Sequence, residues 1–304
     1  MLTQSQIRQD VTNRIVAALE SGEVPFWRRG WTKSQHSGPP TNAVSKKPYQ
    51  GINRVLLSLM GHDSKWWATY KQWQSVGGQV RRNEKSVMGI IYKPIKKESI
   101  AEDGEVETSS FALLKTFNLF HIGQIEGDLD QFRDAPAAEA ESTFVDYSPA
   151  EAVFAATGAE VRFGGSRAYY SPSEDFIQLP EKNAFDPNQY YPVLAHEISH
   201  WTGHETRLNR LQKFARFGSD AYAVEELVAE LGSAYLCNEL GVPQAEDLSN
   251  VTAYLSNWLK VLKRDHSAIF SVASAASKAA DFVISFARPA ENAENESETE
   301  AVAV

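Results

Sequence analysis

The segment HEISH, His196 to His200, constrains this chain more than any other five residues. It lies in an apolar-periodic stretch from about Tyr190 to Gly203 that predicts a helix. Histidines four apart fall on one helix face, so both imidazoles can reach one metal ion, and Glu197 stands where it can take a proton from a water held there. A surface helix with ordinary histidines is the alternative. The polar His-Glu pair directly after apolar Val193 and Leu194 favours the metal.

An open metal site needs a third protein ligand. His204 is four residues further on, but eight residues of helix span about 12 Å, too far for His196 and His204 to share an ion. It is expected at the helix end, in support of the ligands. The pattern HExxHxxGxxH would place a histidine at 206, where Thr206 stands, so that family is excluded. The next helical stretch, AYAVEELVAELGSAYL, offers Glu225, Glu226 and Glu230. Glu226 is taken as the ligand and Glu230, one turn on, as the carboxylate behind a histidine. Glu225 points about 100° away from Glu226, so the two cannot both face the site, and at least one of the three acids is expected on an exposed acidic face. Leu227, Leu231, Ala234 and Tyr235 would pack this helix on the HEISH helix. Such a site suits metal-assisted hydrolysis, most naturally of a peptide bond, with Zn2+ or another divalent ion such as Mn2+. The strand FIQLP could take an extended peptide along its edge. Tyr169, Tyr170 and His204 are candidates for steadying an oxyanion.

Charge divides the chain. Its net −9 separates into 16 Lys+Arg against 6 Asp+Glu over residues 1–100, and 14 against 33 over the rest. A basic half on an acidic protein is either a solvated surface or a site for a polyanion. Five of the seven tryptophans (Trp27, Trp31, Trp66, Trp67, Trp73) fall within the first 73 residues, among Arg28, Arg29, Lys33, Lys46, Lys47, Lys65 and Lys71. Rings that stack on bases and cations that follow phosphates suit single-stranded nucleic acid. Any one Trp is more often core than platform. The exception is WRRGW, whose two rings flank a basic pair in a Gly/Pro-rich loop. The single-strand candidates are Trp27, Arg28, Arg29, Trp31, Lys33, Lys46, Lys47, Tyr49, Arg81, Arg82 and Lys85.

A length of 304 residues suggests two domains. With one cysteine, Cys237, no internal disulfide forms. No apolar run approaches the roughly 20 residues of a spanning helix, and the N-terminus lacks a secretory pattern, so a cytoplasmic protein without a membrane partner is expected. Apolar spacing predicts helices over residues 4–20, 54–60 and, through WWATYKQWQSVGG, up to Gly77. VMGIIY and FALLKTFNLF read as strands joined by the acidic excursion KKESIAEDGEVET. Gly77-Gly78 and RRNEK read as a turn and a basic hairpin edge. Beyond a helix near 149–157, a three-strand meander precedes helices at about 190–203, 221–240, 251–265 and 269–286. The expected layout is α+β: an N-terminal α/β domain (1–127), a linker (128–147), a domain of short antiparallel sheet plus helices (148–288) and a disordered acidic tail (289–304).

Several blocks carry a resemblance. WRRGW, PYQGIN, WATYKQW with GGQVRRNEKS, and FALLKTFNLFHIGQIEG resemble the N-terminal domain of ArdC-type antirestriction proteins. VRFGGSRAYYSPSEDFIQLP, HEISHWTGHETRLNR and YAVEELVAELGSAYL resemble their C-terminal zincin-like domain, and the likeness reaches about residue 287. It implies a single-stranded-DNA-binding domain joined to a metallopeptidase-like domain, carried on mobile DNA and protecting incoming plasmid DNA from host restriction. A DNA-bound protein as substrate is implied too, as in proteases that clear proteins from DNA. By position, His196, His200 and Glu226 would be ligands and Glu197 the base.

Overall fold

Thr3 starts the first helix, α1 (Gln4–Glu20): its hydroxyl accepts from Gln6 N at 3.2 Å while Gln6 Oε1 accepts from Thr3 N at 2.8 Å. Ile7, Val11, Ile15 and Leu19 form its buried face, the four-residue spacing expected. The computed structural model describes residues 3–21, 36, 38–62, 64–100, 106–133, 147–185, 189–211, 214, 220–242 and 249–287. The WRRGW loop and the acidic tail lie outside these residues.

The N-terminal half continues with β1 (Thr41–Asn42), α2 (Ile52–Ser58), β2 (Trp66–Ala68), α3 (Tyr70–Ser75), β3 (Gln79–Val80), β4 (Val87–Ile100), β5 (Val106–His121) and β6 (Ile125–Glu126). A four-stranded sheet runs β1-β2-β5-β4, and β3 pairs with β6. Trp66 and Trp67, expected in a helix, are a strand because their rings go to opposite sides. Trp66 packs with Trp73 and Phe132, Trp67 with Leu57 and Leu119, an alternation that only a pleated chain gives. The acidic excursion is also largely strand: β4 and β5 pair from Val87↔Leu119 to Ile100↔Val106 in one long hairpin. Leu129 and Phe132, expected at the start of a linker, are buried in the N-terminal core.

The second half comprises α4 (Ser148–Ala156), β7 (Glu160–Phe163), β8 (Tyr169–Ser171), β9 (Phe176–Leu179), α5 (Tyr190–Trp201), α6 (Ala221–Leu240), α7 (Ser249–Arg264) and α8 (Ala268–Ser285). The three strands are not an antiparallel meander. β9 lies in the middle, parallel to β7 and antiparallel to β8. Gly164 and Gly165, both at positive φ, carry the chain away from β7, whereas the short turn through Asp175 folds β8 back on β9. FIQLP is therefore central, and the sheet edges are Glu160–Phe163 and, next to α5, Tyr169–Ser171. α8 is long and apolar enough to cross a membrane by length and composition, at a mean hydropathy of 1.3, but 56% of it is buried inside this fold.

The halves share one core. The apolar face of α1 joins a cluster with Trp258, Val261 and Leu262 of α7 and with α8. Thr12 Oγ1 donates to His266 O at 3.0 Å, and Lys263 meets Glu20 at 2.5 Å. Arg54 of α2, 1% exposed, pairs with Glu239 at 2.8 Å and lies 3.8 Å over the Tyr235 ring of α6.

Candidate metal centre

α5 and α6 cross closely because Gly232 faces Ser199: a Cβ at 232 would lie 2.6 Å from Ser199 Oγ. Ser199 and Ser233 turn their hydroxyls onto carbonyls of α5, those of Ala195 and Pro192, each at 2.8 Å. This crossing sets the acids of α6 against the histidines of α5.

His196, His200 and Glu226 bring their ligand atoms within 4.8 Å of one another. Glu226 lies between the rings, 3.6 Å from His196 Nε2 and 3.6 Å from His200 Nε2. Two imidazoles and a carboxylate converging beside an open cleft fit a divalent ion with a position left over. Burial alone would lower the His196 pKa, but Glu226, Glu197 and Glu230 outweigh it and hold it at about 9. Glu226 is kept below the usual carboxylate range, its burial outweighed by the two histidines and Tyr222.

The outer nitrogens face further acids. His200 Nδ1 lies 3.1 Å from Glu225 Oε1, and His196 Nδ1 lies 3.9 Å from Glu230 Oε2. The expected exposed acid is not found: Glu225, Glu226 and Glu230 are all buried. Glu225, expected to face away from the site, lines the same cleft as Glu226, and Arg210 grips it with Nε at 2.9 Å and Nη2 at 2.7 Å. Arg210, 4% exposed, also donates to Thr202 Oγ1 and Ser199 O. Against burial, these partners hold Glu225 low and ionised. Sequence reasoning missed Arg210, although a buried acid with no cation in its own helix calls for one from elsewhere.

Glu197 is 7% exposed and lines the cleft, a cavity of about 820 Å³. His204 is not among the groups around it: its Nδ1 lies 2.9 Å from Thr206 Oγ1, one turn beyond the ligands. Tyr170 is engaged elsewhere, donating to Asp175 at 2.7 Å and accepting from Arg207 at 3.1 Å. Tyr169 remains at the mouth, half exposed. Unforeseen was Tyr222, one turn before Glu226. Its hydroxyl, beside Glu226 in the cleft, lies 3.0 Å from that of Tyr254 on α7.

The single-strand candidates divide. Trp27, Arg28, Arg29, Trp31 and Lys33 lie outside the described residues. Lys46, at φ 60°, places Nζ 4.5 Å over Trp66 and 4.0 Å over Phe132. Tyr49 packs partly buried against the Leu57 and Trp67 cluster, its hydroxyl accepts from Asn42 at 2.9 Å, and burial pushes its pKa to about 12. Arg81 pairs with Glu84 at 2.8 Å. Lys47, Arg82 and Lys85 are exposed. Trp66, Trp67 and Trp73 are core.

The fold and site define a class, a metallopeptidase-like HExxH domain packed against a basic α/β domain. The chain matches the family model of a zincin-like metallopeptidase over residues 148–275 and that of the N-terminal domain of anti-restriction factor ArdC over residues 5–120. The chain belongs to the ArdC antirestriction family. The metal-free crystal structure of the antirestriction protein ArdC from the R388 plasmid superposes with a TM-score of 0.73 at 37% identity, over 92% of this chain and 97% of that one. Its Mn(II)-bound structure gives 0.73 at 36%, over 94% and 99%. An uncharacterized Sinorhizobium fredii protein, y4eC, is 34% identical over 92% of each chain. A DNA primase, TraC of Escherichia coli, is 36% identical over 91% of this chain, which spans only 27% of that protein. The site is one for a divalent metal ion.

Proposed function

We propose that this protein protects incoming plasmid DNA from host restriction in the cytoplasm, binding single strands through its N-terminal half while the metal centre acts as a peptidase on protein near that DNA. The observation that carries the peptidase is the supported triad: His196, His200 and Glu226 converge on the cleft, and a buried Arg210–Glu225 pair fixes His200 from behind. A mere scaffold has no need of five buried charged groups around an open cleft. DNA binding is supported by the basic N-terminal half and by a TraC primase containing a homologous segment.

His196, His200 and Glu226 would hold the ion, zinc by donor chemistry or manganese as in the R388 relative. When bound, the ion would polarise a peptide carbonyl and acidify a water. Glu197 takes the proton on its carboxylate and returns it to the departing amine. The edge strand Tyr169–Ser171 holds an extended substrate beside α5. Tyr222, whose hydroxyl stands at Glu226, orients that carboxylate.

The test is protection of unmodified DNA entering a restricting host, comparing wild type with Glu197→Gln at equal expression. Loss of protection with DNA binding intact supports hydrolysis. Full protection by the variant removes the peptidase and leaves shielding of the strand as the mechanism.

A further inference from the structure

A second cavity, of about 660 Å³, opens at the junction of the halves and shares no lining residue with the metal cleft. Arg8 of α1 and Tyr92 of β4 face Phe270, Ser271 and Ser274 of α8 across it, with Gln50 at the rim. Its chemistry is one-sided. Among the described lining residues Arg8 is the only charged one, in a protein of net charge −9; Asp265 and Asp281 bond Ser267 and Gln50 of that lining.

Arg8 lines the cavity beside Tyr92, and its Nε is buried with no acceptor. A buried cationic N–H without a partner is costly, and an anionic oxygen in the cavity would satisfy it. Ser274, exposed on the cavity wall, adds a hydroxyl that can donate to the same oxygens. The rings of Tyr92 and Phe270, edge to face at 6.3 Å, give the remaining wall an apolar surface for a sugar or base. Tyr92 also begins the stretch of β4 that continues through Lys93, Lys96 and Lys97 in the long hairpin.

The geometry points to a phosphate site: the cavity between the halves takes one phosphate of a nucleic-acid strand on Arg8, with the adjoining nucleoside against Tyr92. This rests on the reading that the protein binds single strands. The phosphate is either a strand end or an internal phosphodiester.

Fluorescence anisotropy on the full chain separates these, using one 3′-labelled oligonucleotide with and without a 5′-phosphate, at several salt concentrations. Arg8→Gln removes the charge; Ser274→Asp places a carboxylate at the exposed rim, where folding is not at stake. If the site takes a strand end, wild type prefers the 5′-phosphorylated strand about fivefold or more, and both variants erase the preference. If it takes an internal phosphate, both variants weaken both strands by about five- to tenfold, and Arg8→Gln lowers the salt slope by about 1. Unchanged affinity in Ser274→Asp, whatever Arg8→Gln does, overturns the site while single-strand binding stands. Failure of wild type to bind either strand removes the single-strand reading, and the site with it.

Discussion

At the metal centre Glu225, Glu226 and Glu230 are buried and each meets an imidazole or a guanidinium; in the N-terminal half, Lys47, Arg82 and Lys85 are in water while the described tryptophans are inside. One region concentrates charge where geometry is rigid and desolvation makes each partner indispensable. The other spreads charge where any single cation is replaceable. The first should therefore fail at single substitutions, and the second only by degrees.

The largest effect is expected at the ligands. His200→Ala or Glu226→Ala should abolish uptake of Mn2+ or Zn2+, and metal analysis showing full occupancy in either variant would remove that residue from the site. Glu225→Ala should weaken uptake by about 10- to 100-fold without abolishing it; abolition there would exchange the roles of the two acids. Next comes Arg210→Gln, which leaves Glu225 buried without its cation and should cost about 3–5 kcal/mol in urea unfolding of the metal-free protein. A loss under about 1 kcal/mol would mean that the pair is not the anchor described.

The N-terminal half has one device of comparable sensitivity. His121, stacked 4.0 Å from His62, accepts from Gly123 N on Nδ1 and reaches Ser64 O through Nε2 at 2.8 Å. Burial, with His62 beside it, pushes its pKa down to about 4. The folded state refuses a proton that the unfolded chain takes up near pH 6.5, so stability is full above that pH. It should fall by up to about 3 kcal/mol as pH drops towards 4. Denaturant curves on wild type and His121→Gln measure it: the variant should lose this part of the acid dependence, and parallel curves would refute it.

Two smaller effects sharpen the contrast. Tyr222→Phe removes the hydroxyl on Glu226 and should lower metal affinity about tenfold by competition titration, with unfolding unchanged; equal affinities would make that contact incidental. Lys47→Gln should weaken single-strand binding less than about tenfold and reduce the salt slope by about 1. A collapse of binding from this one change would contradict the picture of dispersed charge.

Legibility differs between the halves for the same reasons. α6 was readable to the residue, Ala221–Leu240, because Gly241 at φ 67° ends it and an apolar stripe runs its length. The histidine pair followed from helical period, which also brought Glu226 and Glu230 to one face, whereas the choice of Glu226 over Glu225 did not come from period. What was misread needed partners distant in sequence. Trp66 to Ala68 is a strand because β1 and β5 pair with it, and β9 is central because β7 runs parallel to it. Leu129 and Phe132 are core because Trp66 and Trp73 await them. The role of Glu225 waited on Arg210, fifteen residues earlier and outside any periodic pattern.

The sequence by itself determined the helices of the metal domain, the histidine pair with its candidate acids and the separation of basic from acidic halves, since each is written in local period or in charge. Tertiary structure alone decided that α1 and α2 pack against α7, α6 and α8, so that the N-terminal half shares a core with the metal domain. It alone turned acids of one helix into a braced site and left a buried, unpaired N–H on an arginine that lines a cavity. The physical reason is that burial and pairing belong to surfaces meeting in space, and a periodic pattern records only that a face is apolar, not which face it will meet.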